Sequence, residues 1–365
     1  MKEGYQGIYE GLTVLVTGHT GFKGSWLSLW LQELGAKVVG LSLEPTAPSH
    51  FEASRIGEGM VSLIGDVRDF SVVNEVIQKY RPAAIFHLAA QSLVLASYQS
   101  PKETFDVNAG GTVNILEAVR HCPSVRAVVV ITTDKCYENQ EWIWGYREND
   151  PLGGADPYSA SKCMAEHVVR SYRASFFQRE DAAMIASARA GNVIGGGDFS
   201  ANRIVPDAMK ALMENRTIVV RNPTSVRPWL NVLDPLHGYL LLGSHLLSRG
   251  RQYAEAWNFG PMETRGVDVQ TLVEKAIDLW GTGEWVHQGN PQAKAEKGYT
   301  YAEMGLLRLN WDKAAHRLGW RPFYSWEKAL EETVDWFLAF NKGSVQMKEV
   351  SLSHLHAFVD ELVEV

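Results

Sequence analysis

The chain has 365 residues, 45% apolar and 21% charged, which gives room for one large domain or two closely joined ones around a substantial core. Its formal charge of -7 argues against a general binder of nucleic acid or anionic membrane, so any anion site has to be a local basic pocket. The three cysteines, Cys122, Cys136 and Cys163, show no paired metal-ligand spacing and no even count, and read as packed thiols in a reducing cytoplasm, with no metal site expected.

Residues 1–11 lack the basic start and apolar segment of a secretory signal, and the longest apolar runs fall well short of the ~20 residues that cross a bilayer. A cytoplasmic protein with no membrane or nucleic-acid partner is therefore expected. Leu12 to Thr17 is an apolar, β-branched run followed by Gly18, Gly21 and Gly24 and then an amphipathic stretch from Ser25 to Leu34. Strand, glycine turn and helix in that order let the backbone turn tightly, approach a pyrophosphate and aim the helix N-terminus at it.

Lys37 to Leu43 predicts a second strand, whose end in a dinucleotide fold meets the adenosine ribose. Here that end reads Ser42-Leu43-Glu44-Pro45, with a late acid and no arginine immediately after it, which favours NAD over NADP. A strand over Val61 to Ile64 leads to Asp66 and Val67. Asp66 is placed to accept a hydrogen bond from an adenine amino group, while Asp69 reads better as the cap of a helix from Phe70 to Tyr80. A strand from Ala84 to Leu88 ends in small residues, Ala89-Ala90, then Gln91. A helix is expected over Thr104 to His121, carrying Asn108.

Arg126 to Ile131 is continuously apolar, which suits a parallel strand covered on both faces. It ends in Thr132-Thr133-Asp134-Lys135, an acid and a base at the end of a strand, where open α/β sheets bind ligands. A surface turn with an ion pair is the alternative. The loop carrying Trp142, Trp144 and Tyr146 either walls a sugar pocket or anchors itself. Tyr158 and Lys162 then stand four residues apart on a predicted helix, on one face. An ammonium held under a phenol stabilises the phenolate and makes a general base; a solvated helix face is the competing reading.

A last regular strand spans Met184 to Ala188, and beyond it the strand–helix alternation loosens. Arg203, Arg221 and Arg227 fall there, either as diphosphate ligands or as surface cations. Helices are expected over Pro235 to Leu247, Val269 to Trp280 and Trp326 to Asn341, with a returning strand over Ala256 to Phe259. The pattern predicts an α/β protein, a doubly wound parallel sheet of the Rossmann type with a smaller C-terminal substrate-binding lobe. The expected division is 1–190 with return segments about 229–260 for the first, and 191–228 with 261–365 for the second.

The glycine loop, Thr133 at a later strand end, and Tyr158 with Lys162 together resemble the extended short-chain dehydrogenases/reductases over nearly the whole chain. Thr17 to Trp26, Thr132 to Trp144, Arg189 to Asp198 and Arg227 to Asp234 further resemble the nucleotide-sugar 4,6-dehydratases acting on CDP-glucose. Relatives acting on dTDP-glucose carry Asp-Glu where this chain has Asp134-Lys135, and 4-epimerases carry neither.

The resemblance implies a lyase using NAD: oxidation at carbon 4 of the sugar with Tyr158 as base, Thr133 bonding the same hydroxyl and Lys162 holding the ribose. Water is then lost across carbons 5 and 6, with Asp134 as acid and Lys135 as base, before hydride returns to carbon 6. It implies cofactor contacts at Gly18, Thr20, Gly21, Phe22, Gly24, Ser42, Asp66, Val67, Leu88, Ala89, Ala90 and Asn108, besides Tyr158 and Lys162. Substrate contacts are implied at Gln91, Asn192, Arg203, Arg227, Asn231 and Arg308. The match departs from the family at Glu303 to Asn310 and at the charged insert Ala293 to Tyr301. The implied assembly is a homodimer or homotetramer. A 4-epimerase, a dehydratase for another NDP-hexose, and a catalytically silent cofactor-binding scaffold are the alternatives.

Overall fold

The computed structural model describes residues 5, 7–263, 266–289, 307–343 and 346–363. The insert Ala293 to Tyr301 and the departure at Glu303 to Leu306 lie outside the described residues.

Six apolar segments become the strands β1 (Thr13–Thr17), β2 (Lys37–Ser42), β3 (Val61–Ile64), β4 (Ala84–His87), β5 (Ala127–Ile131) and β6 (Met184–Ala190). With Ala256–Phe259 at one edge they form a seven-stranded sheet in the order edge strand, β6, β5, β4, β1, β2, β3. Every pairing in it is parallel. Alternate residues of a strand face opposite sides, so Val14 and Val16 enter one core while Leu15 enters the other; β5 divides the same way, Val129 from Val128 and Val130. Both faces are covered, which explains the continuous apolar runs.

The strand order reverses at β1, which pairs with β2 on one side and β4 on the other. A crevice therefore opens above the carboxyl ends of β1 and β4, where doubly wound sheets bind ligands. Helix α1 (Phe22–Glu33) starts directly from the glycine turn, three residues before Ser25, and its N-cap Gly21 offers no side chain to the first amides. Asp69 caps the helix Phe70–Tyr80 by accepting from the Ser71 and Val72 amides, as expected. Asp156 caps Pro157–Ser175 through the Ser159 amide, with proline in the first turn.

The helix expected over Thr104 to His121 is interrupted. Pro101–Phe105 and Gly111–Arg120 are separated by a π turn at Asp106–Gly110, which carries Asn108. Three short pairings extend the sheet's ligand end: Asn192–Ile194 with Trp229–Asn231, Val226–Arg227 with Val267–Asp268, and Ile218–Val220 with Trp285–His287. Helices Ile204–Met213 and Met347–Val363 add to those expected from the sequence.

The last of these, Met347–Val363, closes on α1. His50 stacks on Trp26 at 4.2 Å between ring centroids and bonds Ser25 on one side and Ser351 on the other, at 2.8 and 3.0 Å. Elsewhere Asp234, fully buried, accepts the Phe323 amide at 2.6 Å and so joins the start of helix Leu233–Arg249 to the segment before Trp326–Lys342. Among the described residues no helix is long and apolar enough to cross a membrane, and no cluster of side chains is suited to a metal ion.

Candidate active site

A cleft of about 720 Å³ lies above the sheet, between the glycine turn and the short strands that follow β6. Its floor is backbone. Gly18 has φ +77°, and a Cβ there would come within 2.8 Å of the Ala89 nitrogen; a Cβ on Gly24 would come within 2.0 Å of the Gly18 carbonyl oxygen. Both positions exclude any side chain, and with the uncapped N-terminus of α1 they leave bare amides facing the cleft, a cradle that fits a pyrophosphate. Gly21, Phe22, Val67, Leu88 and Ala90 also line it.

Thr20 and Ser42 stand at the rim, hydroxyl to hydroxyl at 2.7 Å, with Thr20 donating to the Leu43 carbonyl. Asp66 lines the cleft too, but its carboxylate is engaged by Arg68, at 2.6 and 2.8 Å, which holds it below the usual carboxylate range. Asn108 does not reach the wall. Its side chain bonds both the amide and the carbonyl of Gln91 and the Ser161 hydroxyl, bracing the segment after β4 against the Tyr158 helix. In this structure the side chain expected to contact the cofactor is a strut between those two segments.

At the end of β5, Thr133 caps a 3-10 turn over Asp134–Cys136. The Thr133 hydroxyl donates to Asp134 Oδ1 at 2.9 Å. Asp134 is buried, and loss of water raises its carboxyl pKa, with Lys135 and the Thr133 bond pulling the other way. Lys135 is half-buried on the same wall.

Tyr158 and Lys162 face this turn from helix Pro157–Ser175. The expected lowering of the phenol by the lysine is not found. Burial pushes Tyr158 up to about 12, offset only in part by the Thr133 hydroxyl and Arg203. Burial also lowers Lys162 to about 8, opposed by the Glu166 carboxylate, and its ammonium donates to the Ile131 carbonyl at 3.2 Å. Desolvation outweighs the attraction that sequence spacing suggests.

Gln91, Asn192, Arg203 and Arg227 line the far part of the cleft. The Gln91 side chain is spent on Thr104 and the Leu93 amide, at 2.9 and 2.6 Å. Arg203 reaches Asp198 at 3.2 Å and Ser92 at 3.3 Å.

Two expected substrate contacts stand elsewhere. Asn231 is buried and accepts the Leu233 amide at 2.8 Å, a helix-start bond behind the cleft. Arg308 donates to the Ile143 carbonyl at 3.0 Å and holds the aromatic loop. In that loop Tyr146 stacks between Tyr137 and Trp142, at 5.2 and 5.6 Å, while Trp144 is exposed. Tyr146 anchors the loop, and none of Trp142, Trp144 and Tyr146 lines the cleft.

Sequence reasoning missed Lys23, which enters the cleft from the first turn of α1 and is lowered to about 7 by burial and by Arg203 and Lys162. A lysine set between Phe22 and Gly24 of the phosphate turn was the available signal.

Residues 15–333 match the family model described as GDP-mannose 4,6 dehydratase. The chain belongs to this family. Among similar curated proteins, a CDP-glucose 4,6-dehydratase of Salmonella typhimurium is 45% identical over 342 residues, covering 92% of this chain and 93% of the relative. A dTDP-glucose 4,6-dehydratase of Xanthomonas campestris pv. campestris is 28% identical over 340 residues, 89% and 93% of the two. Solved structures share the fold: the dTDP-glucose 4,6-dehydratase DesIV of Streptomyces venezuelae, with NAD and TYD bound, aligns at TM-score 0.76 and 23% identity over 91% of this chain and 98% of its own. The UDP-glucose 4-epimerase of Thermus thermophilus, in complex with NAD, aligns at TM-score 0.74 and 25% identity over 92% and 100%. The chain thus shares its fold with solved structures of both a dehydratase and a 4-epimerase.

Proposed function

We propose that this chain is an NAD-dependent nucleotide-sugar 4,6-dehydratase whose substrate is CDP-glucose, releasing the 4-keto-6-deoxy sugar nucleotide. One observation carries the reading: the turn with Thr133, Asp134 and Lys135 lies beside Tyr158 and Lys162, and all five line the cleft that the glycine cradle opens. The 45% identity to a CDP-glucose 4,6-dehydratase supports the choice of nucleotide.

NAD, when bound, supplies the two-electron exchange at carbons 4 and 6 of the sugar. In this proposal Gly18, Gly24 and the first amides of α1 hold its pyrophosphate, and Thr20, Ser42, Asp66 and Val67 bound the adenosine end. Lys162 holds the ribose. Tyr158 Oη, whose phenol burial raises, would take the proton from the 4-hydroxyl, which Thr133 Oγ1 also bonds, once that burial is offset by a bound cationic nicotinamide. A ketone at carbon 4 acidifies the proton at carbon 5, and Lys135 receives it. Asp134, whose carboxyl burial raises, is the acid that would give a proton to the departing 6-hydroxyl, so that water leaves. Asn192, Arg203 and Arg227 meet the diphosphate.

The proposal extends to a cofactor-binding part, 1–190 with about 229–260, and a substrate part from the remainder. It extends to an assembly of two or four copies, supported by Met164 and Phe176, exposed along helix Pro157–Ser175 and at its end. It also places the protein in the cytoplasm, where its free thiols stay reduced. The test is to incubate purified protein with CDP-, dTDP- and UDP-glucose separately and follow 4-keto sugar formation with and without added NAD. CDP-glucose is expected to give the highest kcat/KM; failure with all three defeats the dehydratase reading.

A further inference from the structure

Beneath the turn that carries Asp134 and Lys135 lies an ion pair with no place in the chemistry above. Glu166 sits on helix Pro157–Ser175, one turn after Lys162, and Arg189 sits on β6; both side chains are 3% exposed and their charged groups are 2.7 Å apart. The Glu166 carboxylate accepts three donors: Arg189, the Thr132 hydroxyl at 2.5 Å and the Ser187 hydroxyl at 2.8 Å. Arg189 turns its other amino group to the Tyr137 hydroxyl at 2.6 Å and the Glu148 carbonyl at 3.2 Å, with its guanidinium 4.9 Å from the Tyr137 ring centre.

Thr132 is the residue just before the segment Thr133–Cys136, and Tyr137 is the residue just after it. Both flanks of the turn are therefore fastened to the same pair, and the pair is fastened to the helix that carries Tyr158 and Lys162. Tyr137 is held a second time, donating to Asn258 Oδ1 at 2.8 Å, and Asn258 in turn bonds the Tyr146 and Asn310 carbonyls. A buried ion pair contributes little net stability over apolar filling of the same volume. What oriented, charge-assisted hydrogen bonds do supply is a fixed distance and angle.

We propose that Glu166 and Arg189 are positioning residues that set the Asp134–Lys135 turn against the Tyr158 helix, so that the acid and base of water loss meet one sugar bound for oxidation. This rests on the dehydratase reading. Oxidation at carbon 4 needs Tyr158 on the helix and only Thr133 from the turn, whereas water loss needs both Asp134 and Lys135 in register as well. Loosening the flanks therefore slows elimination more than oxidation.

Thr132→Val and Tyr137→Phe each cut one flank while leaving the ion pair in place. Each variant is expected to fold, to keep its KM for CDP-glucose within about twofold, and to lose roughly 10- to 100-fold in kcat, the scale that misplacement of about 1 Å produces. Quenching turnover with borodeuteride labels carbon 4 of any keto sugar and separates, by mass, hexose that still carries its 6-hydroxyl from the 6-deoxy product. The hexose fraction should rise in both variants, rise further in the double variant, and fall back in Thr132→Ser.

Glu166→Gln should show the same pattern; if it does not fold, the two flank variants still decide. Folded Thr132→Val and Tyr137→Phe with wild-type kcat and wild-type trapping overturn the inference, as does a loss confined to thermal stability or KM. A wild-type protein that forms no 4-keto sugar from any of the three nucleotide sugars overturns the dehydratase reading and the inference with it.

Discussion

Thr133 donates its hydroxyl to Asp134 at 2.9 Å, joining the group proposed to bond the sugar 4-hydroxyl to the group proposed to protonate the 6-hydroxyl. Asp134→Asn keeps the shape but removes the transferable proton, and should lower kcat by about 10²- to 10⁴-fold, the range typical of a lost general acid. KM for CDP-glucose should change little. Steady-state assay of 4-keto-6-deoxy product checks it, with Lys135→Ala as companion. Intact dehydration in Lys135→Ala, beside its loss in Asp134→Asn, would reject the lysine as base.

Gly24→Ala places a methyl 2.0 Å from the Gly18 carbonyl oxygen, a backbone atom that cannot swing aside. The turn has to open, and overpacking of this kind destabilises by about 1–3 kcal/mol. Reduced thermal stability together with weaker NAD binding in calorimetry is expected. Wild-type NAD affinity in this variant would mean that the bare amides are not the pyrophosphate site.

Asn108→Ala and Asn231→Ala separate struts from contacts. Asn108 makes three hydrogen bonds and Asn231 makes one to the Leu233 amide, all inside the fold. Leaving buried partners unmet is expected to destabilise each variant, by about 1–3 kcal/mol per unmet group, as read in urea unfolding. For Asn231→Ala, KM for CDP-glucose should stay near wild type; a tenfold rise without loss of stability would return Asn231 to the substrate.

Burial pushes the Asp234 carboxyl up to about 8. Below about pH 4 it is protonated in both folded and unfolded chains. Between about pH 4 and 8 the unfolded chain gives up this proton while the folded chain keeps it, so the group's contribution to stability falls as pH rises, by at most about 1.4 kcal/mol per pH unit. Asp234→Asn removes that slope. Melting temperatures at pH 5 and pH 8 should show the variant gaining on wild type at the higher pH; an unchanged difference would contradict the raised value.

Much of the frame was legible in the sequence because one physical signal dominated each part. Continuous apolar runs marked the buried parallel strands, and the glycines at 18, 21 and 24 marked a turn where two methyl groups have no room. Side-chain direction was not legible. Asn108 and Asn231 look like ligand contacts until a π turn and a helix start take up their amides. The Tyr158 phenol is another case: spacing reports a nearby lysine, but the burial that outweighs it depends on residues from distant segments. Glu166 and Arg189 are 23 residues apart and become neighbours only because their helix packs against β6.

The bond from His50 to Ser351 spans 301 residues and brings the C-terminal helix against the back of α1. The family match ends at residue 333, before Trp336 and the whole of that helix. A shortened version trimmed to the matched region would leave the ring of Trp26 and the imidazole of His50 without their cover, directly behind the phosphate cradle. The glycine turn is synthesised long before helix Met347–Val363, yet its packing is completed only by that helix. Contacts this distant in sequence form late and favour slow folding, so an expression tag or truncation at the C-terminus acts on the same packed layer as a substitution in the glycine turn.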